Sequence, residues 1–357
     1  MNAKLAAALM VLLAVLGGGA LLIRDQQGSQ KPPATGTLGQ PLLKGLKAAD
    51  VAGIVIREPS STLTLQRKED RWTIAERGEF TADLQKVKEF VVRAIELKIG
   101  QAEPIGEKDR ARLLLDAGGT TVEFKAADGK TLARLTIGKK YFKGEPANAE
   151  KALGDGRFVM LPEDEKQVFT VSDPLSQATA KAGEWISKTG FQAEKVKSLA
   201  VAGADGAAWK IERSGDNADW KLEGAKPGEK LEITRANSAS YSLSNIDLAD
   251  VLPKDAKPEL TGLDKPATVV ATTFDGLTYT LKIGRLAGDN LHATVAVEGE
   301  AKPEGKDAEE RAKRLAERLP REKALQGHVL LIPKSKLDDT LRKRADLLEK
   351  KDDAKKK

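Results

Sequence analysis

The pattern of apolar positions along the chain repeats once. Residues 46–56 and 191–201 both follow the order apolar, x, Ala, x, x, Val, x, x, apolar, x, apolar. Self-similarity at a fixed separation is the sequence signature of a repeated structural unit. We therefore expect the chain from residue 46 onward to contain two copies of one module.

Each copy continues with segments in which apolar and polar residues alternate. They are residues 63–67 and 71–74 in the first copy, and 209–213 and 219–222 in the second. Alternation at period two predicts half-buried strands of an antiparallel sheet. Trp72 and Trp220 occupy the same place in these strands, where each is either a core side chain or a ligand-binding platform.

A helix and a hairpin follow in each copy. Apolar stripes with helical spacing occur at Leu84, Val87, Val91 and Ala94, and again at Ala236, Ala239, Leu243 and Ile246. Asp-Gly pairs at 128–129 and 275–276 lie between alternating segments and predict hairpins. A further strand at 158–162 is matched here with one at 329–333. The predicted fold is α+β, with an N-terminal transmembrane helix followed by β-rich modules at 46–190 and 191–348.

A charged insertion at 299–325 distinguishes the second copy from the first. Asp307 and Glu310 have capping-box spacing, Ala308, Ala312, Leu315 and Leu319 form a short apolar seam, and Pro320 is expected to end the helix. The helix either packs by this seam on its own domain or docks on a partner. On the docking interpretation the candidate partner contacts are Arg311, Arg314, Leu315 and Arg318.

The N-terminus contains an uncharged apolar run from Leu5 to Ile23. A helix of this length spans about 28 Å, close to the bilayer core. A retained signal anchor over residues 1–24 is favoured, whereas Gly18-Gly19-Ala20 also offers a signal-peptidase site. Residues 25–45 are expected to form a flexible linker, and residues 349–357 a basic, disordered tail.

The amino-acid composition excludes several classes of binding site and catalytic site. The chain has no cysteine, which excludes disulfide-linked partners and a lipidated N-terminal cysteine. Its net charge of +6 comes from basic and acidic residues spread along the chain, which does not suggest a nucleic-acid partner. The two histidines, His292 and His328, lie in no metal-binding or nucleophile motif. We expect neither enzymatic activity nor a cofactor, although a pair of carboxylates brought together by the fold stays open.

Together, the apolar N-terminus, the repeated opening strand, the strands around Trp72 and Trp220 and the Asp-Gly hairpins ending in Ile-Gly resemble the family called domain of unknown function 4340. The resemblance covers about residues 46–340. It implies a bacterial protein of the cytoplasmic membrane, anchored by a single pass with its bulk on the periplasmic side. It also implies an auxiliary role beside ABC transporters of the gliding-motility type.

Three classes of function follow from these observations. The first is a non-catalytic, membrane-anchored scaffold or auxiliary subunit of a transport complex, with membrane subunits as partners. The second is a cell-envelope module that binds a glycan or small ligand, and the third is a hydrolase. Exposed tryptophans facing one cleft would favour the second, and a buried carboxylate pair with a perturbed pKa would favour the third.

We predict that the apolar segment stays attached to the mature protein. The apolar run continues through Leu21-Leu22-Ile23, beyond the cleavage site that Ala20 offers, and so reaches a spanning length. Intact mass and N-terminal sequencing of protein extracted from membranes check this. A mature chain that begins at Leu21 would contradict the anchor.

Overall fold

The computed structural model describes residues 38–69, 71–144, 148, 151–305 and 307–349. In these residues the chain is a β-rich α+β protein with two antiparallel sheets and few helices. They divide into two compact units, one formed by residues up to Thr62 with Glu89–Ala180, and the other by Leu63–Lys88 with residues from Lys181 onward. The chain passes from one unit to the other at 62/63, 88/89 and 180/181, and the module boundary at 190/191 stays a prediction.

The first sheet has nine strands in the order β4-β3-β2-β1-β6-β7-β8-β9-β5. Its strands are β1 (Gly53–Glu58), β2 (Ser61–Lys68), β3 (Arg71–Ile74), β4 (Phe80–Thr81), β5 (Gln101–Pro104), β6 (Thr120–Lys125), β7 (Thr131–Tyr141), β8 (Gly156–Met160) and β9 (Gln167–Val171). Helix α1 (Leu84–Glu96) precedes β5, and the short helix α2 (Glu107–Arg112) follows it.

The second sheet has eight strands in the order β12-β11-β10-β14-β15-β16-β17-β13. Its strands are β10 (Val196–Ala202), β11 (Ala208–Glu212), β12 (Lys221–Leu222), β13 (Asp250–Val251), β14 (Ala267–Thr273), β15 (Leu277–Ala287), β16 (Asn290–Gly299) and β17 (Leu330–Pro333). The helices are α3 (Ile233–Tyr241), α4 (Pro258–Thr261), α5 (Ala308–Lys323) and α6 (Lys334–Leu337).

The apolar stripes predicted for two helices are confirmed at most positions. Val87, Val91 and Ala94 of α1 are buried, as is Phe90, whereas Leu84 at the first position of the helix is exposed. Phe90 stacks on Phe124 of β6 with ring centroids 6.0 Å apart. All four stripe residues of the second copy are buried, the first two in α3 and Leu243 and Ile246 after it. The alanines Ala236 and Ala239 are therefore packed in the core although their side chains are small.

Trp72 and Trp220 are both buried, which confirms their interpretation as core side chains. Trp72 lies in β3, and the chain enters β12 directly after Trp220. The indole nitrogen of Trp220 donates to the side chain of Asn237 on α3 at 2.9 Å, so its polar edge is satisfied inside the fold.

Two glycines explain the Ile-Gly ends of the hairpins. A Cβ at Gly138 of β7 would lie 2.3 Å from the carbonyl oxygen of Leu113, and one at Gly284 of β15 would lie 2.1 Å from that of Thr261. No side chain fits at such separations. In both strands the pairing register shifts directly after the preceding isoleucine, so each glycine marks a β-bulge at a close backbone approach.

The folded body begins before the predicted module boundary at residue 46. Leu42 and Leu43 are buried, and the amide of Leu42 donates to the carbonyl oxygen of Leu97 at 2.8 Å. The linker predicted for 25–45 is therefore wrong for its last residues, because their apolar side chains find a place in the first unit. Residues 25–37 of that linker, the predicted span at 5–23 and the tail from 350 onward lie outside the described residues.

No helix among the described residues is long and apolar enough to cross a bilayer.

Arg344 attaches the C-terminal segment of the second unit to a surface loop. Its guanidinium donates to both carboxylate oxygens of Glu229, at 2.9 and 2.6 Å. This fork lowers the pKa of Glu229 from 4.5 to about 2, assisted by the backbone amide of Lys226. A carboxylate with a depressed pKa stabilises the fold above its ordinary pKa, and the contribution disappears as the pH falls toward the folded value.

We predict that the gap in melting temperature between the wild type and Arg344→Ala is largest above pH 4.5 and closes toward pH 2. The variant removes the partner that depresses the pKa of Glu229, so it loses the corresponding stability. Thermal unfolding from pH 2 to pH 7 measures the gap, with Lys343→Ala as the exposed control. A gap that is constant with pH would contradict the assignment.

Candidate functional site

Helix α5 places the predicted partner-contact residues mostly against its own unit. Arg311 and Leu315 are buried, and the side chain of Arg318 is 12% exposed. Only Arg314 is exposed, where it pairs with Glu310 at 3.5 Å on the outer face. Three of the four predicted contacts are therefore not available on the surface, and the interpretation of α5 as a helix packed on its own domain describes it better.

The side of α5 that packs on the unit is not the predicted apolar seam. It is formed by Arg311, Leu315, Arg318 and Glu322, spaced 4, 3 and 4, with Leu325 two residues after the end of the helix. Ala312 of the predicted seam is exposed. The hydrophobic pattern failed here because three of the inward positions carry charged side chains, which a search for apolar residues assigns to the surface.

Arg311 attaches the start of α5 to the β14–β15 hairpin. Its Nη2 donates to Oδ1 of the buried Asp275 at 3.1 Å and to the carbonyl oxygen of Glu304 at 2.8 Å. Its Nη1 lies 2.7 Å from Oδ1 of Asp307. This close ion pair raises the pKa of Arg311 and lowers the pKa of Asp307. The side chain of Asp307 therefore pairs with Arg311 and does not form the predicted capping box.

A buried polar cluster fixes the other end of α5. Glu322 is completely buried, and it accepts hydrogen bonds from the hydroxyl of Tyr279 at 2.8 Å and from the backbone amide of Gln192 at 3.0 Å. Nε of Arg318 lies 3.3 Å from the same carboxylate. Arg318 also donates to the side chain of Glu194 at 2.7 Å and to the carbonyl oxygen of Gln192 at 2.7 Å.

Burial dominates the ionisation of this cluster. It raises the pKa of Glu322, against the lowering by Tyr279 and Arg318, because desolvation disfavours the charged carboxylate. Burial and the neighbouring Glu322 raise the pKa of Tyr279 as well. The α5 helix runs through Pro320 to Lys323, which brings Glu322 into this position. The prediction that Pro320 ends the helix is therefore wrong.

The two histidines lie in different surroundings. Nδ1 of His292, in β16, is 2.9 Å from the carbonyl oxygen of Arg285. The ring of His328 meets that of Phe80 edge to face, with centroids 5.1 Å apart. Burial and the charge of Lys254 lower the pKa of His328, so it is neutral at pH 7. No group of three or more His, Asp or Glu side chains among the described residues is placed to hold a metal ion.

His328 lines a small cavity of about 250 Å³ within the second unit, called here the arginine pocket. Two arginines from distant segments, Arg71 of β3 and Arg321 of α5, also line it. The remaining wall includes Glu79, Phe80 and three hydroxyl-bearing residues, Thr81, Ser187 and Thr189. Sequence reasoning missed this site, because its residues belong to four separate segments and share no motif.

The structure defines a β-rich, two-sheet protein with no recognised catalytic motif in its sequence. The model of the family described as Domain of unknown function (DUF4340) matches residues 72–266, more than half of the sequence. The chain belongs to this family, which confirms the resemblance inferred from its motifs. No curated protein and no solved structure is significantly similar to it.

We predict that Glu322→Ala lowers the free energy of unfolding of the second unit by about 1–3 kcal/mol, because the hydroxyl of Tyr279 and the backbone amide of Gln192 lose their buried acceptor. Arg318 keeps Glu194 as a counter-charge. Glu322→Gln should cost less, since an amide keeps partners for Tyr279 and for the amide of Gln192. Glu309→Ala, on the exposed face of α5, should change it by less than about 1 kcal/mol.

Urea denaturation followed by tryptophan fluorescence measures these changes. All four tryptophans, Trp72, Trp185, Trp209 and Trp220, belong to the second unit. If Glu322→Ala has the same free energy of unfolding as Glu309→Ala, the contacts of Glu322 do not stabilise the second unit and the prediction is wrong.

Proposed function

We propose that this chain is a non-catalytic, membrane-anchored extracytoplasmic protein that acts by contact, as an auxiliary or scaffold subunit of an ABC-transporter-type complex. The apolar run at 5–23 supports the anchor, because its length suits a bilayer. The transporter setting itself comes from what the family resemblance implies. The assignment to a periplasmic face of a bacterial cytoplasmic membrane is part of this proposal.

The observation that carries the proposal is the correspondence between the two sheets. Without the edge strand β4, the first order is β3-β2-β1-β6-β7-β8-β9-β5, and the second is β12-β11-β10-β14-β15-β16-β17-β13. When the two orders are compared position by position, the strands that correspond also follow one another in the same order along the chain. Helices α1 and α3 precede the edge strands β5 and β13 in the same way. This supports two tandem copies of one module.

Local irregularities support the same inference. The bulges after Ile137 and Ile283 occur in corresponding strands, and each is followed by a glycine that a backbone carbonyl approaches closely. In this comparison β8 corresponds to β16, and β9 to β17, so matching the strand at 158–162 with that at 329–333 is off by one strand. A repeated module accounts for most of the described residues as scaffold, which favours contact over chemistry.

The rival functions receive less support. Both tryptophans that a ligand platform would have needed are buried. The buried Glu322, whose pKa is raised, contacts Tyr279, Arg318 and the backbone of Gln192, and it pairs with no second carboxylate among the described residues. Neither the glycan-binding module nor the hydrolase is therefore the preferred proposal.

Helix α5 has no counterpart between β8 and β9, where only a short 3-10 turn occurs. Its outer face carries the exposed pairs Lys313–Glu309 and Arg314–Glu310. Additions of this kind change a surface without disturbing the scaffold. We propose this outer face, which includes Arg314, as the partner contact in place of the inward residues.

We predict that the full chain, tagged at its C-terminus and purified in mild detergent, recovers the membrane and ATPase subunits of one ABC transporter. Quantitative mass spectrometry compares it with residues 1–24 fused to an unrelated reporter. A charge-reversed variant, Lys313→Glu with Arg314→Glu, should recover less partner, whereas Lys343→Glu should not differ from wild type. The proposal would be contradicted if the fusion of residues 1–24 to the reporter recovered the same partners as the full chain. It would also be contradicted if the full chain enriched no transporter subunits.

A further inference from the structure

The arginine pocket contains positive charge that the fold leaves unbalanced. Arg71 and Arg321 form no ion pair or side-chain hydrogen bond with any residue that the structure describes. The carboxylate in the wall, that of Glu79, is already engaged: it lies 3.0 Å from Nζ of Lys68 and accepts a hydrogen bond from the Thr73 hydroxyl at 2.8 Å. Neither guanidinium group is therefore paired with a counter-ion among the described residues.

The wall of the pocket includes an unusual backbone conformation. Gly78 and Glu79 both have a φ of 64°, and a left-handed conformation costs a residue with a side chain about 1–2 kcal/mol. A Cβ at Gly78 would lie 2.5 Å from the side chain of Lys254, so this turn also holds a further cation nearby. Strain of this kind persists where the surroundings impose it, and it is concentrated at functional sites.

The size and lining of the pocket select a small ligand. Its volume of about 250 Å³ is below the range usual for drug-sized ligands. Phe80 and Leu325 are buried and form an apolar floor, whereas Thr81, Ser187 and Thr189 are half-buried and supply hydroxyl donors. The neutral imidazole of His328 adds a further polar group. This combination suits a planar or tetrahedral oxyanion.

We propose that the arginine pocket is a binding site for a small oxyanion, a carboxylate or a phosphate group, held by Arg71 and Arg321. Guanidinium groups bind both anions through paired, charge-assisted hydrogen bonds. The hydroxyl groups complete the coordination, and the apolar floor accommodates a short carbon chain attached to a carboxylate. The inference is independent of the membrane partner.

Isothermal titration of the full chain in mild detergent tests the site, with inorganic phosphate and propionate as the two probes and chloride as the reference salt. We expect saturable binding of one probe with a Kd of about 1 mM or tighter. Binding of phosphate identifies a phosphate site, and binding of propionate identifies a carboxylate site. If neither probe binds saturably, the proposal is wrong.

Variants locate the binding. Arg71→Ala and Arg321→Ala should each weaken it at least about ten-fold, because each removes charge-assisted hydrogen bonds. Arg321→Lys keeps the charge without the fork and should bind with intermediate affinity. Arg314→Ala, on the exposed face of the same helix, is the control and should bind as wild type.

A melting temperature close to that of wild type establishes that each variant is folded, which is expected because both arginines are exposed. If Arg321→Ala unfolds, the affinities of Arg71→Ala and Arg321→Lys for the probe still test whether the two arginines bind the anion. Unchanged affinity in folded Arg71→Ala and Arg321→Lys would overturn the assignment.

Discussion

The burial of the Glu322 carboxylate is the interaction on which the second unit depends most. A buried carboxylate needs hydrogen-bond donors and a counter-charge. Tyr279 of β15 and the backbone amide of Gln192 ahead of β10 donate the hydrogen bonds, and Arg318 of α5 forms an ion pair with it at 3.3 Å. Three separate segments are thus held in one arrangement. Glu123 in the first unit differs, since Arg57, Lys125 and Arg134 all pair with it. Burial raises its pKa, but these cations outweigh that effect and lower it.

The charged contacts of α5 convert an insertion into part of the core. Arg311 attaches its first turn to Asp275 in the hairpin, and Glu322 attaches its last turn to the sheet. Between them Leu315 is the only buried apolar side chain of the helix. Polar contacts therefore set the orientation of α5, because hydrogen bonds and ion pairs require definite geometry whereas apolar packing tolerates rotation.

Helix α5 has one side that packs on the second unit and an opposite side that is exposed to solvent. The side that faces the unit is committed to Asp275, Tyr279 and Gln192, and the opposite side carries exposed ion pairs that contribute little to stability. Arg321, on the same helix, lines the arginine pocket and forms no ion pair or side-chain hydrogen bond with a described residue. One helix thus supplies core contacts, an exposed charged face and part of a cavity.

The sequence by itself determined the local elements and the family. Alternation, helical stripes and Asp-Gly turns are short-range signals, so they identified the strands around Trp72 and Trp220, the helices and the hairpins. Only the tertiary structure decided which charged residues are buried. Arg311, Arg318 and Glu322 belong to the core because their partners, distant in sequence, come within hydrogen-bonding distance after folding. The arginine pocket could not be predicted from the sequence for the same reason, because Arg71, Arg321 and His328 come together only after the chain folds.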